Sequence, residues 1–165
     1  METTEKVTFY YDVSHLSHEV ENLTATIASR PYGKENMQRP YLIFSEDQAV
    51  LFQRLLKDAI GDIRASFVHF ITPEHPSDDL RNITRVHIHT CLKVTATDEG
   101  IPSIVRALDD KIREYLIWQV VRHWLAMKAP DELQWVTERV DRTGAEITNL
   151  FRQAKGKARR KYMLW

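Results

Sequence analysis

Apolar and polar positions along this chain switch between two periods. Val7, Phe9 and Tyr11 alternate with Thr8, Tyr10 and Asp12, the pattern of a strand with one buried face, so residues 6–12 are expected to form a short strand. Ser14 is placed to cap a following helix in which Leu16, Val20, Leu23 and Ile27 recur at helical spacing up to Arg30-Pro31. Residues 31–40 show no period and read as a loop, and Tyr41 to Phe44 as a brief strand. Ser45-Glu-Asp-Gln48 has the form of a capping box. Phe52, Leu56, Ala59, Ile60, Ile63 and Phe67 mark the stripe of the helix it opens.

The period returns to two from Thr84 to Thr95. Val86, Ile88, Leu92 and Val94 share one face and Arg85, His87, His89, Cys91 and Lys93 the other. After Asp98-Glu-Gly100, Ile104, Leu108, Ile112, Leu116, Val120 and Trp124 predict a helix to about Met127. Pro130 opens a second helix with Leu133, Val136, Val140, Ile147 and Phe151 on its inner face. Gly144 interrupts that face, at about 1 kcal/mol relative to Ala, as a point where another chain could approach closely. So short a connection makes the two helices antiparallel. The fold class expected is α+β: a long antiparallel helical hairpin and one or two further helices packed on a small, mostly antiparallel sheet.

Composition changes this picture at one end only. The chain has 165 residues, 43% hydrophobic and 28% charged, with zero formal net charge, a size and balance suited to one soluble domain with a single core. Residues 155–165 carry Lys155, Lys157, Arg159, Arg160 and Lys161 and no acid, so this end holds +5 and residues 1–154 hold 18 − 23 = −5. Residues 1–154 are therefore read as the domain and 155–165 as an extended basic arm. With Tyr162 and Trp165 at its end, the arm suits an acidic protein surface, a neighbouring copy, or nucleic acid. Cys91 is the only cysteine, which allows no intrachain disulfide. The opening residues lack the pattern of a signal peptide, and no stretch has the roughly 20 apolar residues of a membrane span. Neither secretion nor a membrane role is expected.

The sharpest local chemistry is His87-x-His89-x-Cys91. Alternate strand residues point the same way, about 6.6–6.8 Å apart, so His87 and His89 are weak candidates for a metal pair, with His69, His75 or His123 as a third ligand. The plainer reading, which we adopt, is the polar face of a half-exposed strand or an edge interface, with no metal and no cofactor. Adjacent acids such as Asp78-Asp79, Asp109-Asp110 and Asp131-Glu132 do not face one another. No phosphate-cradling or nucleophile motif is present, and no enzyme is expected. Trp118 and Trp135 fall off the main helix faces, where large aromatics serve as interface anchors.

Nearly the whole chain resembles structural proteins from phages and prophages of gut Bacteroidales. The resemblance is carried by the Val7-Thr-Phe-Tyr-Tyr-Asp-Val13 strand, the Ser45 to Ala59 helix, the Ile112 to Leu125 helix and the arginine-rich end. The order helix, strand region, then a helix ending in His123-Trp124 is also similar to head–tail connector or adaptor proteins, which form a ring under the portal. The N-terminal strand and first helix have no clear counterpart there. The resemblance implies a virion structural protein made in the bacterial host cytoplasm, acting as a homo-oligomer. Its implied partners are the portal and other neck or tail proteins, with contact to packaged DNA through the channel, and it implies no catalytic residue. A small nucleic-acid-binding or regulatory module using the basic arm is the alternative from the residues alone.

Overall fold

The computed structural model describes residues 2–31, 38–72, 83–95 and 101–156. Strand β1 (Glu2–Asp12) pairs antiparallel with β2 (Arg85–Thr95), from Glu2 opposite Thr95 to Asp12 opposite Arg85, with no break in register. Phe9 and Tyr11 of β1 and Val86, Ile88 and Leu92 of β2 are buried. Thr8, Tyr10, His87 and His89 occupy the opposite face, as period-two alternation requires. Buried among the apolar residues, Thr90 satisfies its hydroxyl by donating to the Val7 carbonyl at 3.1 Å. The far edge of β2 is tied to the chain following the second helix: Thr72 N donates to His89 O at 2.9 Å and Cys91 N to Phe70 O at 3.1 Å.

Helix α1 (Val13–Ala28) follows β1 without a loop. Its first residue still belongs to the ladder, since Val13 N donates to Thr84 O at 3.0 Å. Asp12 is therefore the capping position and makes no side-chain cap; the expected cap Ser14 lies inside the first turn, exposed. Tyr41 to Phe44 is not a strand. Pro40 presets a 3-10 turn over Pro40–Leu42, closed by Ile43 N to Pro40 O at 3.1 Å. The alternation seen in the sequence is real, with Leu42 and Phe44 buried and Tyr41 and Ile43 exposed, but among the described residues no strand stands beside it. Phe44 N instead donates to the buried hydroxyl of Thr24 at 2.9 Å. Half of the expected capping box forms: the Gln48 side chain accepts from Ser45 N at 3.4 Å. The Gln48 amide turns to the Ser45 carbonyl, starting a 3-10 turn before α2 (Ala49–Ser66).

Helix α3 (Ile101–Lys128) is the centre of the molecule, touched by α1, α2 and α4. Tyr115, Leu116, Ile117, Val120, Val121, Trp124 and Leu125 are all buried, a nearly continuous run rather than one stripe. A helix with neighbours on several sides needs apolar residues around most of its circumference. A 3-10 turn (Pro130–Glu132) leads into α4 (Leu133–Gly156). Pairings of Trp118 with Trp135, Glu114 with Arg139 and Lys111 with Glu146 run in opposite directions along α3 and α4, so the hairpin is antiparallel. Gly144 marks a close approach within the chain: a Cβ there would sit 3.3 Å from Tyr115 Cε2. Helix α4 continues through Lys155 and Gly156, which were expected in the extended arm. Lys157, Arg159, Arg160, Lys161, Tyr162 and Trp165 lie outside the described residues.

Candidate functional site

Trp118 and Trp135 come together on one side of the hairpin. The antiparallel register brings the two rings to 5.7 Å between centroids at 82°, an edge-to-face pair. Each is half-buried and packs against the core. Arg139 lies over Trp118 at 5.8 Å and Arg30 over Trp135 at 4.6 Å, while Trp135 Nε1 donates to Glu132. The two residues picked out for lying off the apolar stripes thus share a seam of α3 and α4, each keeping part of its surface open.

Charges finish this seam. Glu114 accepts from Lys111 at 2.9 Å and from Arg139 at 2.6 Å, and Lys111 also reaches Glu146 at 2.6 Å. Burial alone would raise the Glu114 carboxyl, but the hydrogen bonds from Lys111 and Arg139 outweigh it and hold the group below its ordinary range. The hydrogen bonds from Lys111 to Glu146 and Glu114 raise the ammonium against its own desolvation. Beside Trp118, an open groove of about 520 Å³ runs between α1 and α3, lined by Glu19, Leu23 and Thr26 and by Arg113, Ile117 and Trp118. Arg113 bridges to Glu19 at 3.2 Å across the two helices.

The ribbon's outer face carries the histidines. His87 is exposed and meets Tyr10 edge-on at 5.0 Å; its ring is 6.3 Å from that of His89 at 86°. His89 Nδ1 is 2.7 Å from the Thr8 hydroxyl, its cross-strand neighbour, and Cys91 Sγ is 3.8 Å from the Thr72 hydroxyl. His123 lies away from this face, on α3 beside Asp62 of α2, and His75 falls outside the described residues. Among the described residues no group of three or more His, Cys, Asp or Glu is placed to hold a metal ion. The arrangement of His87 and His89 is that of cross-strand packing against Tyr10 and Thr8.

Two features escaped the sequence reading. Between α2 and α3, Asp62 binds Arg122 at 3.1 Å and lies 2.9 Å from His123 Nε2. One helical turn on, Ser66 meets the Tyr115 hydroxyl at 3.3 Å, which accepts from Gln119 at 2.8 Å. This polar seam fastens α2 to α3. The second feature is the hairpin corner. Arg39, 5% exposed, binds Asp131 at 3.4 Å and also Glu132, and Trp124 Nε1 donates to Leu42 O at 2.8 Å. Burial would lower the Arg39 guanidinium; the hydrogen bond to Glu132 and the two carboxylates outweigh it, so it is held firmly charged. These bonds clamp residues 39–44 on the corner while Tyr41, Ile43 and Met127 there stay exposed, at 58%, 38% and 54%. Only long-range pairing reveals either feature, because Arg39 and Glu132 are 93 positions apart.

No described helix is long and apolar enough to cross a membrane. The chain matches no protein-family model, no curated protein and no solved structure.

Proposed function

We propose that this chain is a structural subunit of an assembly, and in particular a subunit of a phage head-to-tail connector ring joining portal and tail in the virion. The observation that carries the assembly reading is the hairpin corner. Tyr41 and Ile43 are held out into solvent by a loop that the Arg39–Glu132 ion pair and the Trp124 hydrogen bond fix in place, with Met127 exposed at the end of α3. Apolar side chains presented on a rigid frame lose little freedom on binding, the property of preorganised contact surfaces. The half-exposed Trp118 and Trp135 add aromatic anchors on the same hairpin. The phage neck is supplied by the sequence resemblance.

In this reading the corner of one subunit sits on a different face of the next, a head-to-tail contact that closes into a ring when the rotation allows. The basic end of the chain, with Lys155 in the last turn of α4 and Lys157, Arg159, Arg160, Lys161, Tyr162 and Trp165 after it in sequence, steers onto the −5 remainder of a neighbour. Light scattering and negative-stain imaging of the purified chain, alone and mixed with portal rings, test it. Closed rings, or recruitment onto the portal ring, are expected. A strictly monomeric protein that ignores portal rings at high concentration contradicts it. Salt-sensitive DNA binding without assembly would favour the nucleic-acid-binding alternative.

A further inference from the structure

Among the described residues the sheet has two strands, and its second edge has no partner. Because Val13 N donates to Thr84 O in the shared register, the odd residues of β1 direct their backbone groups toward β2. The even ones, including Lys6, Thr8, Tyr10 and Asp12, direct theirs outward. Among the described residues no backbone group pairs with that outer edge, whereas the corresponding edge of β2 is covered by residues 70–72. The edge is also unbroken: eleven residues in one register, with no bulge and no proline. A row of amides and carbonyls with no partner among the described residues is a template for another strand.

We propose that the outer edge of β1 pairs with β1 of a second copy of this chain, antiparallel about a two-fold axis, with Phe9 opposite Phe9. Charge and strand overlap together select the register: centring the axis on Thr4 sets Lys6 against Glu2, but it pairs only residues 2–6 of the strand. The buried and exposed faces match only when even residues oppose even residues. Centring the axis on Lys6 sets lysine against lysine, and centring it on Val7 sets Glu2 against Asp12. Centring it on Thr8 leaves Lys6 opposite Tyr10, without a charge partner. Centring it on Phe9 places Lys6 opposite Asp12 twice and Thr8 opposite Tyr10 twice, while Val7 and Tyr11 oppose each other on the inner face. Lys6 and Tyr10 are already exposed, and Asp12 is half-exposed beside Arg85 at 2.9 Å, so both charges are accessible. Pairing turns a two-stranded ribbon into a four-stranded sheet, the size at which sheets become independently stable. The contact goes beyond the ring reading, because an isologous pair leaves head-to-tail faces free and stands or falls without them.

Sedimentation velocity on the full chain over a wide concentration range tests it. The wild type is expected to associate in even multiples. Thr8→Pro removes an outward amide and no β1–β2 backbone hydrogen bond, and Thr8→Val, which loses the same hydroxyl contact to His89 but keeps the amide, is its control; the proline variant alone is expected to halve the wild-type mass, with circular dichroism unchanged. Lys6→Asp and Asp12→Lys each place like charges opposite, and each alone is expected to raise the dissociation constant at least tenfold. Mixed together, the two variants restore opposite charges at every such pair and are expected to re-form the dimer. A wild type that stays monomeric at its highest soluble concentration overturns the proposal. So does a Thr8→Pro protein that associates like wild type, or a charge-swapped mixture no tighter than its components.

Discussion

The α3–α4 hairpin and the β1–β2 ribbon treat their polar groups in opposite ways. In the hairpin, side chains that leave the core find partners within the chain: Trp118 meets Trp135, Glu114 joins Lys111 to Arg139, and Arg39 closes the corner on Asp131 and Glu132. In the ribbon, one face is sealed on the helices while the other shows Tyr10 and His87, and among the described residues one backbone edge has no partner. A helix satisfies its backbone internally and asks only for side-chain burial; a strand asks for a neighbour on both sides. The difference separates what each can offer another chain: the ribbon has backbone groups left to bond, and the hairpin corner has only side chains such as Tyr41 and Ile43 to bury.

The comparison breaks first at Trp124. Its ring is 1% exposed, sits edge-on to Phe44 at 5.2 Å and donates to Leu42 O. Trp124→Ala is expected to cost about 3–5 kcal/mol in urea unfolding, releasing residues 39–44 with it. Next comes Arg39→Ala, which strands Glu132 beside the corner. We expect a loss of about 3 kcal/mol, with Arg39→Met milder because its side chain keeps the apolar packing of the arginine stem that Ala gives up.

Two glycines give a sharper contrast. A Cβ at Gly61 of α2 would meet nothing within 4 Å, so Gly61→Ala is expected to stabilise by about 1 kcal/mol from helix propensity alone. At Gly144 the same change meets Tyr115, whose hydroxyl is held by Gln119 and Ser66 and whose ring packs on Phe67 at 5.5 Å. The ring has little room to yield, and overpacking of about 1–3 kcal/mol exceeds the propensity gain. Gly144→Ala is expected to lower the melting temperature while Gly61→Ala raises it.

The smallest effect is electrostatic. The Glu114 carboxyl is lowered in the folded chain, so its contribution is present above the unfolded value of about 4.3 and lost as pH falls through the folded one. Melting temperature should therefore drop more steeply below pH about 4 in the wild type than in Glu114→Gln. Lys111, raised in the folded chain, acts in the mirror sense. Its contribution is present below the unfolded value of about 10.4 and lost as pH climbs past the folded one.

Helix and strand identities were legible because burial imposes periods of 3.6 and two, and the stripe of α2 appears residue for residue in the core. Tyr41 to Phe44 misled for the same reason: alternating burial of Leu42 and Phe44 mimics a strand, and only the missing neighbour reveals a turn begun by Pro40. The surroundings of Trp118 were hidden because a stripe model assumes one buried face, while α3 is enclosed by three helices. Gly144 was read as facing another chain, since sequence marks a close approach without saying to what. The Arg39 clamp and the Asp62 seam join positions far apart in the chain, and no local pattern announces them.

Hydrogen–deuterium exchange of the intact protein at rising concentration tests most directly whether stability and association reside in different places. We expect the outward amides of Lys6, Thr8 and Tyr10 to exchange quickly in dilute solution and to become protected as copies associate, with the interior amides of α3 slow throughout. Outward β1 amides that exchange equally fast at every concentration, while protein mass rises, would contradict pairing through β1 and leave the hairpin corner as the contact.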